Sequence, residues 1–181
     1  MTATTIRSVG LCAHYSPQGD WAFDLAFRIA REHALQLNIF HFLHDPYGPE
    51  ERTTRGLSGS ERARSMVEQE KELRLRYDER LGDYLQVGFR LCEDRAWVEL
   101  HRCLCRREFE LLVLPWPEQH STFGGEPVEW FIDRFVCPMV TVGPTSPKDL
   151  HVNSPAHLIL PRLEPDLVTA AAWVHSRAAA I

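Results

Sequence analysis

Short apolar blocks and longer amphipathic ones alternate along this chain. Ile6 to Cys12 is an apolar run of strand length, and Asp20 to His33 follow with Ala22, Leu25, Ala26, Ile29 and Ala30 on one helical face. "LQLNIFHFLHD", Leu35 to Asp45, is rich in aliphatic and aromatic residues and too short for a second amphipathic helix; it predicts a strand ending near Leu43. The polar, Gly-containing stretch "DPYGPEERTTRGLSGS" then reads as a loop. From Ser60 the spacing of Ala63, Met66, Val67, Leu73, Tyr77 and Leu81 predicts a long helix whose Glu, Lys and Arg residues form a solvated outer face.

"LQVGFRLCE" predicts a third strand, Arg95 to Arg107 a helix, and "FELLVLP" a fourth strand, continuously apolar as a strand covered on both faces should be. Pro127 marks the first turn of a further helix with Val128, Phe131, Ile132 and Phe135 on one side, and "CPMVTVGP" supplies a fifth strand. Strands alternating with helices imply an α/β fold: an open parallel sheet, right-handed crossovers and helices on both faces. Residues 1–143 form this domain. Residues 144–156, with Pro144, Pro147 and Pro155, read as a Pro-rich linker. Residues 157–181 read as a strand-helix unit: the apolar run His157 to Leu160, then an amphipathic helix from about Pro165 carrying Leu167, Val168, Ala171, Val174 and Ala178.

Composition narrows the function classes. The 181 residues carry a formal charge of −5 with 44% hydrophobic residues, as in globular proteins. Basic residues are interleaved with acids, so there is no electrostatic footprint for nucleic acid. No apolar run approaches the ~18 residues that span a bilayer, and the amino end lacks the pattern of a signal peptide, which predicts a cytoplasmic protein without membrane attachment. The five cysteines are not spaced as a disulfide frame or a thiolate zinc site. Cys103 and Cys105, two apart on a helix, point about 200° from each other and cannot share a metal. No nucleophile elbow and no recognisable Ser/His/Asp set is present, so neither an enzyme nor a cofactor is predicted.

The order of elements, "HYSPQGDWAFDLAFRIA" after the first strand, "FELLVLP", and the "CP" that opens an apolar last strand together resemble the universal stress protein family over residues 5–143. The resemblance implies a Rossmann-like sheet of five parallel strands in the order 3-2-1-4-5 and a homodimer formed where last strands meet. The carboxyl-terminal unit resembles the start of a second repeat, an alternative route to assembly, in cis or with another subunit. Family members that bind ATP use an Asp after the first strand and a glycine-rich pattern after the fourth, whose last glycine is followed by Ser or Thr. In this chain His14 stands in place of the Asp. Gly125 falls on the last glycine and Glu126 on its hydroxyl neighbour, where a carboxylate opposes phosphate by about 1 kcal/mol per charge pair in water and more when partly buried. "PWPEQHS" replaces the start of the pattern, and its prolines offer no N–H.

The expectation is therefore a regulatory or interaction protein of this family's type, dimeric, with a degenerate ATP motif and a protein partner that the sequence does not name. Gly124-Gly125 is expected to be a tight entry to the fourth helix. The alternative is a small-ligand or nucleotide binder using a modified cleft at the strand ends. Its candidate contacts are His14, His44 and His120, which follow strands one, two and four, together with Gly125 and Glu126; no metal-ligand spacing accompanies the histidines.

Overall fold

A computed structural model describes residues 6–48 and 59–165. The strands β1 (Ser8–Cys12), β2 (Gln36–Phe42), β3 (Val87–Cys92) and β4 (Leu111–Pro115) alternate with the helices α1 (Pro17–Glu32), α2 (Gly59–Leu81) and α3 (Ala96–Cys105). The short strands β5 (Thr122–Phe123) and β6 (Glu126–Pro127) precede α4 (Val128–Arg134), β7 (Met139–Val142), β8 (Leu150–Val152), α5 (Ser154–His157) and α6 (Leu160–Leu163). The main sheet has six strands in the order β3-β2-β1-β4-β7-β8. Its first five are parallel and follow the expected order; β8 is antiparallel to β7, with Val140 opposite Val152 and Val142 opposite Leu150.

Each strand sends alternate side chains to opposite faces, which builds two cores. Val9, Leu11, Leu37 and Ile39 pack against Ala22, Ala26 and Ile29 of α1 and Leu73 and Tyr77 of α2. Phe40, Leu112, Leu114 and Met139 pack against Leu100 of α3 and Phe131 and Ile132 of α4. Ser16 caps α1 by accepting the Gly19 N–H at 3.0 Å, and Pro17 occupies its first turn. The apolar stripe of α2 is shorter than its sequence spacing implies: Leu73, Tyr77 and Leu81 are buried, while Val67 is 67% exposed. Arg80 holds α2 to α1 through Asp20 at 2.9 Å and Asp24 at 2.6 Å.

The segment read as a linker is part of the sheet. Its prolines flank β8 instead of interrupting it, so the Pro-free stretch Leu150–Val152 is free to pair. Asn153, 2% exposed, locks this return in place. Its Oδ1 accepts the N–H of Met139 at 2.9 Å and of Ala156 at 3.2 Å, and its Nδ2 donates to the carbonyls of Ile132, Phe135 and Cys137. Asn153 is also the N-cap of α5, with Pro155 in the first turn, so His157 ends a helix and Leu160 begins another where a strand was expected. Ala156 and Leu160 are buried in the domain's own core, and Glu164 pairs with Arg28 of α1 at 2.8 Å. The helix expected from about Pro165 lies beyond the described residues. Among the described residues no helix is long and apolar enough to cross a membrane.

Candidate functional site

Strand order reverses at β1: the chain first builds β2 and β3 to one side, then returns to lay β4 on the other. In open sheets of this kind ligands bind in the crevice outside the carboxyl ends of the strands at such a reversal. Here the protein fills that crevice itself. Asp45 to Gly48 form a tight turn in which the Gly48 N–H donates to the Asp45 carbonyl at 3.1 Å and the Tyr47 N–H to Asp45 Oδ1 at 3.0 Å. Asp, Pro and Gly at these turn positions are the residues that favour it.

The turn carries Tyr47 back across the strand ends. Its ring meets His14, which follows β1, edge-on at 4.9 Å and Phe123 at 5.2 Å, and its hydroxyl donates to the carbonyl of Pro115, the last residue of β4. Burial, with smaller contributions from Cys12 and Asp45, holds the phenol pKa well above its ordinary value, so the hydroxyl stays a donor.

The paired glycines have a different job from the one expected. A hairpin, β5-β6, intervenes between β4 and α4, with Phe123 opposite Glu126 and Thr122 opposite Pro127. Gly124 (φ 59°) and Gly125 (φ 86°) are its two central residues, and successive positive φ values are what a type I′ hairpin turn requires. They are a hairpin turn, not the entry to α4. The Gly124 N–H, a donor that a phosphate loop would leave open, is given to the Pro46 carbonyl at 2.8 Å. Phe123 anchors the hairpin from below, against Phe131 at 4.6 Å.

His14 is held by its own loop: Nδ1 lies 2.7 Å from Ser16 Oγ, and Nε2 lies 3.7 Å from Asp45 Oδ1. Burial lowers its pKa below the ordinary histidine value; Asp45 opposes that shift and Arg76 adds to it. Gly19 makes the arrangement possible, because a Cβ there would lie 1.8 Å from the His14 carbonyl oxygen. His120, exposed and at φ 63°, sits in a turn closed by Ser121, whose N–H and hydroxyl both donate to the Glu118 carbonyl. Glu126 lies in β6.

His44 and Gly125 are brought together. They line a cavity of about 220 Å³ beside the filled crevice, with Phe42, Asp45, Arg95 and Ala96 among its other walls. His14, His120 and Glu126 do not line it. Among the described residues no three His, Cys, Asp or Glu are grouped to hold a metal.

Tyr47, Asp45 and Arg95 are the residues that sequence reasoning missed. The Asp-Pro-Tyr-Gly turn itself was a readable signal; the direction in which it folds was not. Of the aromatics in this region, Trp116, Phe123 and Phe131 are buried, and Trp130 is 54% exposed with the Arg134 guanidinium over its ring at 4.7 Å. The thiols of Cys12, Cys92, Cys103 and Cys137 are buried and their pKa values raised, mainly by desolvation, to about 12 for Cys103 and Cys137. Such thiols are poor nucleophiles.

No protein-family model and no curated protein matches the sequence. Solved structures match the fold. A protein from the universal stress protein family of Burkholderia pseudomallei is similar to 78% of this chain over 98% of its own length, at 14% identity and a TM-score of 0.56. Universal stress protein UspA from Lactobacillus plantarum is similar to 78% of this chain over 100% of its own, at 15% identity and a TM-score of 0.54. The chain has the universal stress protein fold, with β8 added at the edge of its sheet.

Proposed function

We propose that this chain is a universal-stress-protein-like regulatory or interaction protein that does not bind ATP in that family's usual way. One observation carries the reading: Tyr47 occupies the crevice between the ends of β1 and β4, and the turn that delivers it takes the Gly124 N–H. To seat a nucleotide there the protein has to expel a half-buried ring and leave the Pro115 carbonyl without its donor, which costs free energy before any contact with the ligand is made. Calorimetry with ATP on the full chain tests this. The expected result is no binding tighter than ~1 mM; micromolar binding that disappears in Gly125→Trp overturns it.

The same reading includes a homodimer. Both sides of β7 are occupied, so at this end of the sheet the strand left to pair with a second copy is β8; β3 forms the opposite edge. Native mass spectrometry is expected to give a dimer; a monomer at ~10 µM removes this part of the reading.

A second reading is favoured by the cavity that His44 and Gly125 share. It places a small ligand beside the filled crevice, against the start of α3, and leaves Tyr47 where it is.

A further inference from the structure

The cavity holds two opposite charges that do not meet. Asp45 and Arg95 both line it, from the turn after β2 and from the start of α3. Among the described residues the charged neighbour of the Asp45 carboxylate is His14, at 3.7 Å, an imidazole that burial keeps neutral near pH 7. The Arg95 guanidinium has no hydrogen bond or ion pair among the described residues; the bond that Arg95 makes to Asp94 comes from its backbone N–H. The remaining carboxylates of the wall are already matched, Glu93 by Arg62 and Asp94 by Arg102 at 3.2 Å. What is left is one negative and one positive group on separate elements, both exposed, the Asp45 side chain by 58%, that line a common space and do not pair with each other.

A molecule carrying both charges satisfies both at once. A singly charged one satisfies one group and sets the other against its apolar part. At about 220 Å³ the cavity is smaller than the ~300–1,000 Å³ usual for drug-sized ligands, so the occupant has few heavy atoms. Phe42 and Ala96 give it an apolar wall. A carboxylate at Arg95 also lies at the start of α3, where no side chain caps the free N–H groups.

We propose that this cavity binds a small zwitterion of the amino-acid type, its carboxylate on Arg95, its ammonium group on Asp45 and a short apolar side chain on Phe42. The proposal rests on the second reading above, that the cavity takes a ligand. Three probes of nearly equal size separate the two: L-norvaline with both charges, pentanoate with the carboxylate alone, and butylamine with the ammonium alone. Each is titrated into the full-length 15N-labelled protein while the amide signals of Gly48, Gly124, Gly125 and Ala96 are followed.

L-norvaline is expected to shift these signals with at least ~10-fold higher affinity than either analogue, and Arg95→Gln or Asp45→Asn to weaken it ~10-fold or more. Asn at position 45 keeps the oxygen that accepts the Tyr47 N–H, so the turn survives the test. Pentanoate or butylamine binding as tightly as L-norvaline overturns the zwitterion and leaves the ligand reading standing. No shift at these amides with any probe at ~10 mM overturns both.

Discussion

At the carboxyl edge of the sheet two hollows lie on either side of the Asp45 turn; the protein fills one, and the other is open among the described residues. The crevice between β1 and β4, where this type of fold ordinarily binds ligands, is closed by Tyr47, whose hydroxyl and ring are both satisfied by the protein. The cavity between the end of β2, the start of α3 and the β5-β6 hairpin has on its walls the Asp45 carboxylate and the Arg95 guanidinium, neither of which has an Arg, Lys, Asp or Glu partner among the described residues. A hollow filled by its own side chains adds to stability; one lined by exposed charges on separate elements leaves room for a ligand. Fold similarity alone does not distinguish the two.

Removing the plug makes the closed hollow resemble the open one. Tyr47→Ala is expected to destabilise the protein by about 3 kcal/mol in urea unfolding, through loss of the ring's packing and of the Pro115 bond. Tyr47→Phe keeps the ring and loses only the hydrogen bond, about 1 kcal/mol. Equal losses in the two variants contradict a packed plug. Gly19→Ala acts on the other wall of the same crevice. Its Cβ would meet the His14 carbonyl at 1.8 Å, and the shift this forces is expected to cost about 3 kcal/mol in the same assay.

The hairpin lines the open cavity through Gly124 and Gly125 and touches Tyr47 through Phe123, and its turn chemistry is testable at single residues. Gly125→Val places a β-branched residue at φ 86° and is expected to cost about 2 kcal/mol. Gly124→Asn creates the Asn-Gly pair that type I′ turns favour and is expected to stay within ~0.5 kcal/mol of the parent. Similar losses in both contradict the turn.

The smallest expected effect is a pH dependence. Burial lowers the pKa of His14 in the crevice and of His41 on β2 below that of the unfolded chain. As pH falls below about 6.5 the unfolded state therefore takes up protons before the folded one, and stability declines from there downward through the lowered folded values. Unfolding curves at a series of pH values check this; a profile that stays flat through this window, or one that His14→Gln leaves unchanged, rules out a contribution from His14.

Much of the scaffold was readable from spacing. The five parallel strands and the buried face of α1 follow from runs and periods that a short window contains, whereas the order 3-2-1-4-5 is implied by the resemblance to the universal stress protein family. Two features with local signals were read differently. Leu150–Val152 is a proline-free stretch between Pro147 and Pro155, and Gly-Gly between Phe123 and Glu126 is a hairpin signature, yet each sits among residues typical of loops. The candidate histidines divided for a reason no window holds: His44 faces the cavity and His14 is held under Tyr47. The bond that closes the crevice joins residues 68 positions apart, and nothing in the local pattern around Tyr47 announces Pro115 as its partner.

Amide hydrogen exchange at the two hairpin glycines tests the closed crevice most directly. Gly124 N–H donates to Pro46 in the structure, whereas Gly125 N–H has no acceptor among the described residues. The account predicts that Gly124 exchanges at least ~100-fold more slowly than Gly125 and that Tyr47→Ala removes most of the difference. Equal, fast exchange at both glycines in the parent protein would mean that the turn does not close over the strand ends, and the central claim would fall.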